Sequence, residues 1–145
     1  MDGAHDGWVA IAVAGVVSGA PSTIVAVLGG GSVLASTRAA GTLLGRSSVP
    51  RGAAAHVALT VGWGTVLVRA LPRRHRVLSG AIAGAGIAAL DLGVVARRFP
   101  AIRALPQLPQ WVDHVAFGVV VGAVLDARSR DRARTRVGIS PPVGA

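Results

Sequence analysis

Residues 77–96 read VLSGAIAGAGIAALDLGVVA, and this apolar stretch lies between the arginine-rich runs RRHR (73–76) and RR (97–98). A helix needs about 20 predominantly apolar residues to cross the hydrocarbon core of a bilayer. The stretch has that length, and its only charged residue is Asp91. It therefore predicts a transmembrane helix, which we call span 3.

Three other apolar stretches have comparable lengths, and we call them span 1 (8–28), span 2 (52–71) and span 4 (110–127). The chain has 145 residues, of which 52% are hydrophobic and 14% are charged, and its mean hydropathy is +0.59. A typical soluble domain has about 25% charged residues, so this chain carries too little polar surface to face water. We expect an all-α membrane protein in which residues 1–127 form a four-helix transmembrane bundle. Because Ala, Gly and Val insert only weakly, three or five spans are the alternatives.

The segments between and after the spans differ in character. In the first loop, Ser32 is placed to cap a short helix over 33–44, which we expect to lie in the membrane interface or to be partly re-entrant. The third loop (97–110) contains three prolines, which favour an extended course over the surface. The tail (128–145) alternates arginine with small or polar residues, and this composition is typical of disorder.

The distribution of arginine predicts the orientation. Arginines are more numerous beside the N-terminus, the second loop and the tail than beside the first and third loops. The positive-inside rule then places both termini in the cytoplasm, in a multi-pass protein of the plasma membrane. The acidic start of the chain (1–6) lacks the basic character of a secretory signal, so we expect span 1 to remain in the mature protein. A net charge of +9 on a soluble domain would suggest nucleic acid, but here the arginines flank apolar spans and predict contact with anionic lipid, with no nucleic-acid partner.

Three of the four spans carry a Gly-x-x-x-Gly motif. The glycines are Gly15 and Gly19, Gly80 and Gly84, and Gly118 and Gly122. This spacing lets two helix backbones approach closely in a membrane. We therefore expect these faces to make helix contacts, and through them the protein could join a homo-oligomer or a larger membrane partner.

Four ionisable side chains lie within the spans, at similar depth. They are His56, Asp91, Asp113 and His114. Because spans 2 and 4 begin where span 3 ends, all four fall about 5–8 Å below the surface formed by loops one and three. An Asp at the centre of a span costs about 2.5–3.5 kcal/mol on insertion scales, so such residues indicate a functional site by default.

Span 1 contributes Ser22 and Thr23 at nearly the same depth, next to Pro21, which should kink the helix and free a carbonyl one turn earlier. We call these two residues and the four ionisable ones the polar layer. Ser22, Asp91 and His114 lie on the glycine faces of their helices and should point inward. Asp113 lies about 100° round the helix from His114 and is expected to point toward the interface instead.

Several chemical interpretations of the polar layer remain open. The first is a set of interhelical hydrogen bonds that only holds the bundle in register. The second is a pocket in which His56 and His114, tuned by the two aspartates, bind or relay a proton, an ion or a small polar ligand. A metal or haem site is the third, but no paired histidine spacing supports it, and we expect neither a metal nor another cofactor.

No sequence feature indicates catalysis. The chain has no cysteine, and Ser22 and Ser79 lack the surroundings of a nucleophile motif. It also lacks the metalloprotease motif HExxH. We therefore expect no enzymatic activity and assign no catalytic residue.

Five short runs carry a resemblance to known proteins. They are SGAPST (18–23), TRAAGTLL (37–44), ALDLG (89–93), RFP (98–100) and DHVAFG (113–118). These runs resemble those of small bacterial four-helix integral membrane proteins that are known mainly as hypothetical proteins, over residues 15–125. The resemblance implies a fold and a membrane location, and it implies no activity, substrate or site residue.

Three function classes follow from the sequence. The first expectation is a structural or accessory membrane subunit, possessing a polar layer near the non-cytoplasmic face. The alternative is a small proton- or ion-coupled transporter or a ligand-binding membrane protein that uses His56, Asp91 and His114. The third class is a metal- or haem-binding membrane protein.

Overall fold

The structure is a computed structural model that describes the backbone of residues 2–138 and the side chains of residues 4–135. Within these residues the chain forms helices and turns and no strand. The α-helices are α1 (Asp2–Val17), α2 (Ala20–Leu28), α3 (Ala35–Ala40), α4 (Val49–Ala70), α5 (Arg76–Gly93), α6 (Pro100–Arg103) and α7 (Gln107–Gly138). Two 3₁₀ turns, Gly41–Leu44 and Val95–Arg98, follow α3 and α5.

Four helical stretches are long and apolar enough to cross a membrane. They are Ala4–Leu28, Val49–Ala70, Arg76–Arg98 and Gln107–Thr135. The prediction of an all-helical fold with four candidate spans is therefore confirmed for the described part of the chain. The first three stretches agree with the predicted spans to within a few residues, whereas the fourth extends further at both ends.

The first stretch is broken in the middle. α1 ends at Val17, α2 begins at Ala20, and Pro21 lies in the first turn of α2, where a missing backbone N–H is tolerated. The Thr23 hydroxyl donates to the Gly19 carbonyl oxygen at 2.8 Å. The break thus lies just before the proline, and a side-chain hydroxyl helps to satisfy the carbonyl beside it.

α7 is the central helix of the bundle. It packs mainly on α5 and also contacts α1, α2 and α4, whereas α4 and α5 scarcely touch although they are consecutive. The core where these helices meet consists of Ala10, Ala14, Leu67, Ile87, Phe117, Val121 and Leu125. Large apolar side chains also cover the outside, and Val16, for example, is 84% exposed. Such an apolar exterior suits helices surrounded by lipid.

Glycine allows α5 and α7 to pack backbone to backbone. A Cβ atom at Gly80 would overlap the Gly118 carbonyl, and a Cβ at Gly118 would overlap the Gly80 carbonyl. Gly84 and Gly122 meet the facing backbone in the same way. The motif glycines of α5 and α7 therefore contact the backbone of the facing helix within the chain.

The glycines of span 1 differ from those of spans 3 and 4. A Cβ at Gly15 would press against the Thr60 side chain of α4, and a Cβ at Gly19 would meet nothing within 4 Å. Another close approach was not predicted from the sequence. Gly52 at the start of α4 lies against the backbone of Thr37 in α3. An isolated glycine at that point carries no motif that could have revealed it.

The first and third loops both contain helical turns. In the first loop α3 and the following 3₁₀ turn cover residues 35–44 of the predicted 33–44 helix, and Leu34 occupies the N-cap position, while the Ser32 hydroxyl accepts a hydrogen bond from the Leu34 N–H at 3.3 Å. The extended course predicted for the third loop is wrong, because a 3₁₀ turn and α6 fill it. Its prolines begin helices instead, since Pro100 opens α6 and Pro109 lies in the first turn of α7, where a proline removes no helical hydrogen bond.

The tail also differs from the prediction of disorder over 128–145, because α7 continues to Gly138. Residues 139–145 lie outside the described residues. Asp6 of α1 is only 6% exposed, and its carboxylate pairs with Arg128 at 3.5 Å and with Arg132. These ion pairs fasten the extension of α7 to the start of α1.

Arg76, at the start of α5, makes a second attachment to α7. Its guanidinium donates to the Leu125 carbonyl oxygen at 2.8 Å and to the Ser129 hydroxyl at 2.6 Å. It also lies 3.8 Å from the Asp126 carboxylate. Backbone and side-chain acceptors on α7 thereby hold the end of the bundle opposite the polar layer.

Candidate functional site

A cavity of about 250 Å³ lies where α3, α4, α5 and α7 meet the break between α1 and α2, and of the polar layer only Ser22 and Thr23 do not line it. All four ionisable residues of the layer line it, namely His56, Asp91, Asp113 and His114. Apolar side chains form most of the remaining wall, among them Leu43, Ile87, Leu92, Ile102 and Phe117. A mostly apolar cavity with a few convergent polar groups is the usual form of a small-molecule site.

His114 of α7 and Asp91 of α5 lie in contact. The His114 Nε2 atom is 3.4 Å from Asp91 Oδ2, and the Nδ1 atom is 2.7 Å from the backbone oxygen of Gln110, one turn earlier in α7. Both ring nitrogens thus face acceptors, and a nitrogen needs a proton to donate to each of them. The geometry suits an imidazolium ion at His114 that pairs with the Asp91 carboxylate. Such a pair carries no net charge.

Asp113 caps the N-terminus of α2. The backbone N–H of Ser22 donates to Asp113 Oδ1 at 3.0 Å. The N-cap residue of α2 is Gly19, which has no side chain to accept this hydrogen bond, so a carboxylate from α7 takes that role. The expectation that Asp113 points to the interface is wrong, because the break in span 1 turns a helix end toward it.

Loss of this cap gives a first testable expectation. Asp113→Ala should destabilise α2 by about 1 kcal/mol, as removal of a helix cap does elsewhere. Amide exchange at Ser22 in the detergent-solubilised protein should accelerate accordingly. Asp113→Asn, which keeps an acceptor oxygen, should have a smaller effect, and unchanged exchange in Asp113→Ala would contradict the capping role.

His56 differs from the other ionisable residues of the layer. It lies on the cavity side of α4, its side chain is exposed, and it makes no hydrogen bond or ion pair with any residue that the structure describes. One neutral imidazole offers one donor and one acceptor. His56 therefore brings unused hydrogen-bonding capacity to the cavity.

The remaining members of the layer are engaged locally. The hydroxyls of Ser22 and Thr23 both donate to the Gly19 carbonyl, at 3.3 Å and 2.8 Å. Sequence analysis missed Gln110 and Ser36, which line the cavity and join α7 to α3 through a hydrogen bond of 3.2 Å. In the sequence, the indication that Gln110 lines the cavity was its position one turn before His114.

Trp63 of α4 also lines the cavity, one residue before the close contact of Gly64 with Ile11. The described part of the chain contains no group of three or more histidine, cysteine, aspartate or glutamate side chains that could hold a metal ion. The cavity therefore offers hydrogen bonds, one ion pair and an aromatic face.

No protein-family model, curated protein or solved structure matches this chain. The groups with chemistry to offer are the Asp91–His114 pair, the Asp113 carboxylate and the His56 ring.

Proposed function

We propose that the protein is a four-span membrane protein that binds a small ligand in the cavity of the polar layer. The observation that carries the proposal is the convergence of His56 and the Asp91–His114 pair on one mostly apolar cavity. The pair retains the second carboxylate oxygen of Asp91 as an acceptor, and the His56 ring makes no hydrogen bond to a described residue and is available to a ligand. Transport of the ligand would be an extension of this binding step.

The membrane placement rests on the apolar exterior and the arginines. If the four candidate spans cross a plasma membrane, the positive-inside rule favours cytoplasmic termini and a cavity near the opposite face. The exposed arginines Arg130 and Arg134 of α7 then lie at the cytoplasmic surface, where anionic lipid headgroups attract basic residues.

The accessory-subunit interpretation now has less support than ligand binding. It relied on glycine faces that could pack against a partner, but the motif glycines of α5 and α7 are covered by the facing helix of the same chain. A purely structural polar layer would also be expected to engage His56. Replacing Asp91 with Asn distinguishes the two roles, because it should weaken ligand binding in our proposal and change only helix packing in the other.

Trp63 provides a test of binding, since it lines the cavity. In a Trp8→Phe/Trp111→Phe background, Trp63 is the only tryptophan of the chain. Titration of the detergent-solubilised protein with butylamine, butanol or butyrate should give a saturable change in its emission for at least one probe. His56→Ala should weaken that binding about tenfold, which corresponds to a loss of about 1.4 kcal/mol.

His5→Ala is the matched control, because His5 is exposed on α1 at the end of the bundle remote from the cavity. It should leave the titration unchanged. The proposal fails if none of the three probes saturates, or if His56→Ala and His5→Ala behave alike.

A further inference from the structure

A groove of about 560 Å³ runs along the outside of the bundle between the first span and α4. Its walls are mainly apolar and include Trp8, Ile11, Val16, Val57 and Val61. The groove reaches from residue 8 in α1 to residues 22–23 in α2, a length of about 20 Å at about 1.5 Å per helical residue. It is long enough for an extended alkyl chain.

The groove adjoins the cavity of the polar layer. Both hollows are lined by the same residues at their junction, namely Gly15, Gly19, Ser36, His56, Thr60, Gln110 and Asp113. The junction is open at Gly19, where a Cβ would meet no other atom within 4 Å, whereas Gly15 packs against the Thr60 side chain of α4. An apolar groove and a polar cavity therefore lie side by side at this point.

The groove opens sideways. Val16 on one wall is 84% exposed and Val57 on the other is 64% exposed. In the four-span arrangement these side chains face the hydrocarbon core, so the groove is accessible from the bilayer and a molecule dissolved in lipid meets it first. A small polar solute dissolves poorly in hydrocarbon and would not enter by that route.

The charges at the polar end select the head group. Asp91 is already paired with His114, which leaves the Asp113 carboxylate as the additional negative charge. The backbone N–H of Ser22 at the start of α2 is the group that would bind an anion, and it already donates to the Asp113 carboxylate. A second anion there would be repelled by Asp113, whereas a cation is complementary to it.

We infer that the groove and the cavity together bind a single-chain amphiphile with an amine head group, which enters from the bilayer. The ammonium lies between the Asp113 carboxylate and the His56 ring, and the alkyl chain lies between α1 and α4. This inference rests on the proposed function, because the head group would lie in the proposed binding cavity.

The test compares chain length and charge in one assay. Tritiated dodecylamine, butylamine and dodecanoate are each bound to the full-length protein in phosphatidylcholine nanodiscs, and binding to empty nanodiscs is subtracted. Ala12→Trp fills the groove without touching the cavity, because Ala12 lines only the groove and is exposed. Ala89→Trp on α5 is the matched control, since Ala89 is equally exposed and lines neither hollow.

Dodecylamine should bind the unaltered protein and Ala89→Trp alike, and Ala12→Trp should weaken it at least about tenfold while butylamine binding persists. Equal dodecylamine binding in Ala12→Trp, or dodecanoate binding as tight as dodecylamine binding, would overturn the inference. If butylamine binds and the longer chain adds nothing, lateral entry is wrong and the proposed cavity stands. If no amine binds, both the inference and an amine ligand for the cavity are wrong.

Discussion

Gly80→Val is expected to destabilise the bundle by about 3 kcal/mol or more, at the upper end of what overpacking causes. Gly80 is buried against α7, and even the Cβ atom of a larger residue would overlap the Gly118 carbonyl. Neither backbone can retreat without separating α5 from α7, which is the largest helix contact in the fold. The free energy of unfolding, measured by titrating the micelle-bound protein with SDS and following circular dichroism, reports the loss.

Gly86→Val provides the control on the same helix. Gly86 is exposed, and a Cβ there would meet nothing within 4 Å. Both substitutions place a β-branched residue in the middle of α5, so their difference isolates the contact with α7 from helix propensity. Equal losses in the two variants would show that α5 and α7 do not pack through Gly80.

Arg128→Gln/Arg132→Gln should have the second largest effect, about 3 kcal/mol, because it leaves the carboxylate of Asp6 buried without its ion-pair partners. The same change should release the extension of α7. Amide exchange over residues 128–138 is therefore expected to accelerate together with the loss of unfolding free energy.

Arg130→Gln/Arg134→Gln removes the same charge from the neighbouring face of α7 and is the matched control. Both arginines are exposed, and neither forms an ion pair with another described residue. Asp6→Leu added to the first double variant should recover much of the stability, since it removes the unpaired buried charge. A similar loss in both double variants would mean that Asp6 does not anchor α7.

Local patterns were sufficient to predict the helices and the depth of the polar layer. A span is a property of about 20 consecutive residues, and the depth of Asp91 or His114 follows from counting along one helix. The contact between these two residues also required a common facing direction, for which the adjacent glycines were a usable guide.

Contacts between distant parts of the chain could not be predicted in this way. Asp6 was interpreted as part of an acidic N-terminus, because its partners Arg128 and Arg132 lie at the other end of the sequence. The role of Asp113 was missed for the same reason. The backbone N–H of Ser22 lacks an acceptor within its own helix only because span 1 breaks, and Asp113 then accepts its hydrogen bond. Glycine pairs with the same spacing also differ in what they contact, because the contact depends on which helix faces them.

The central position of α7 has a consequence for biosynthesis. Among the described helices it comes last in the sequence, yet α1, α2, α4 and α5 all pack on it. Ribosomes make proteins from the N-terminus, so during translation the earlier candidate spans are complete before their common partner has been synthesised. A transcript interrupted between codons 94 and 106 would encode the earlier helices without α7, which supplies Phe117, Val121 and Leu125 of the core, and its product would be a ready substrate for quality-control proteases.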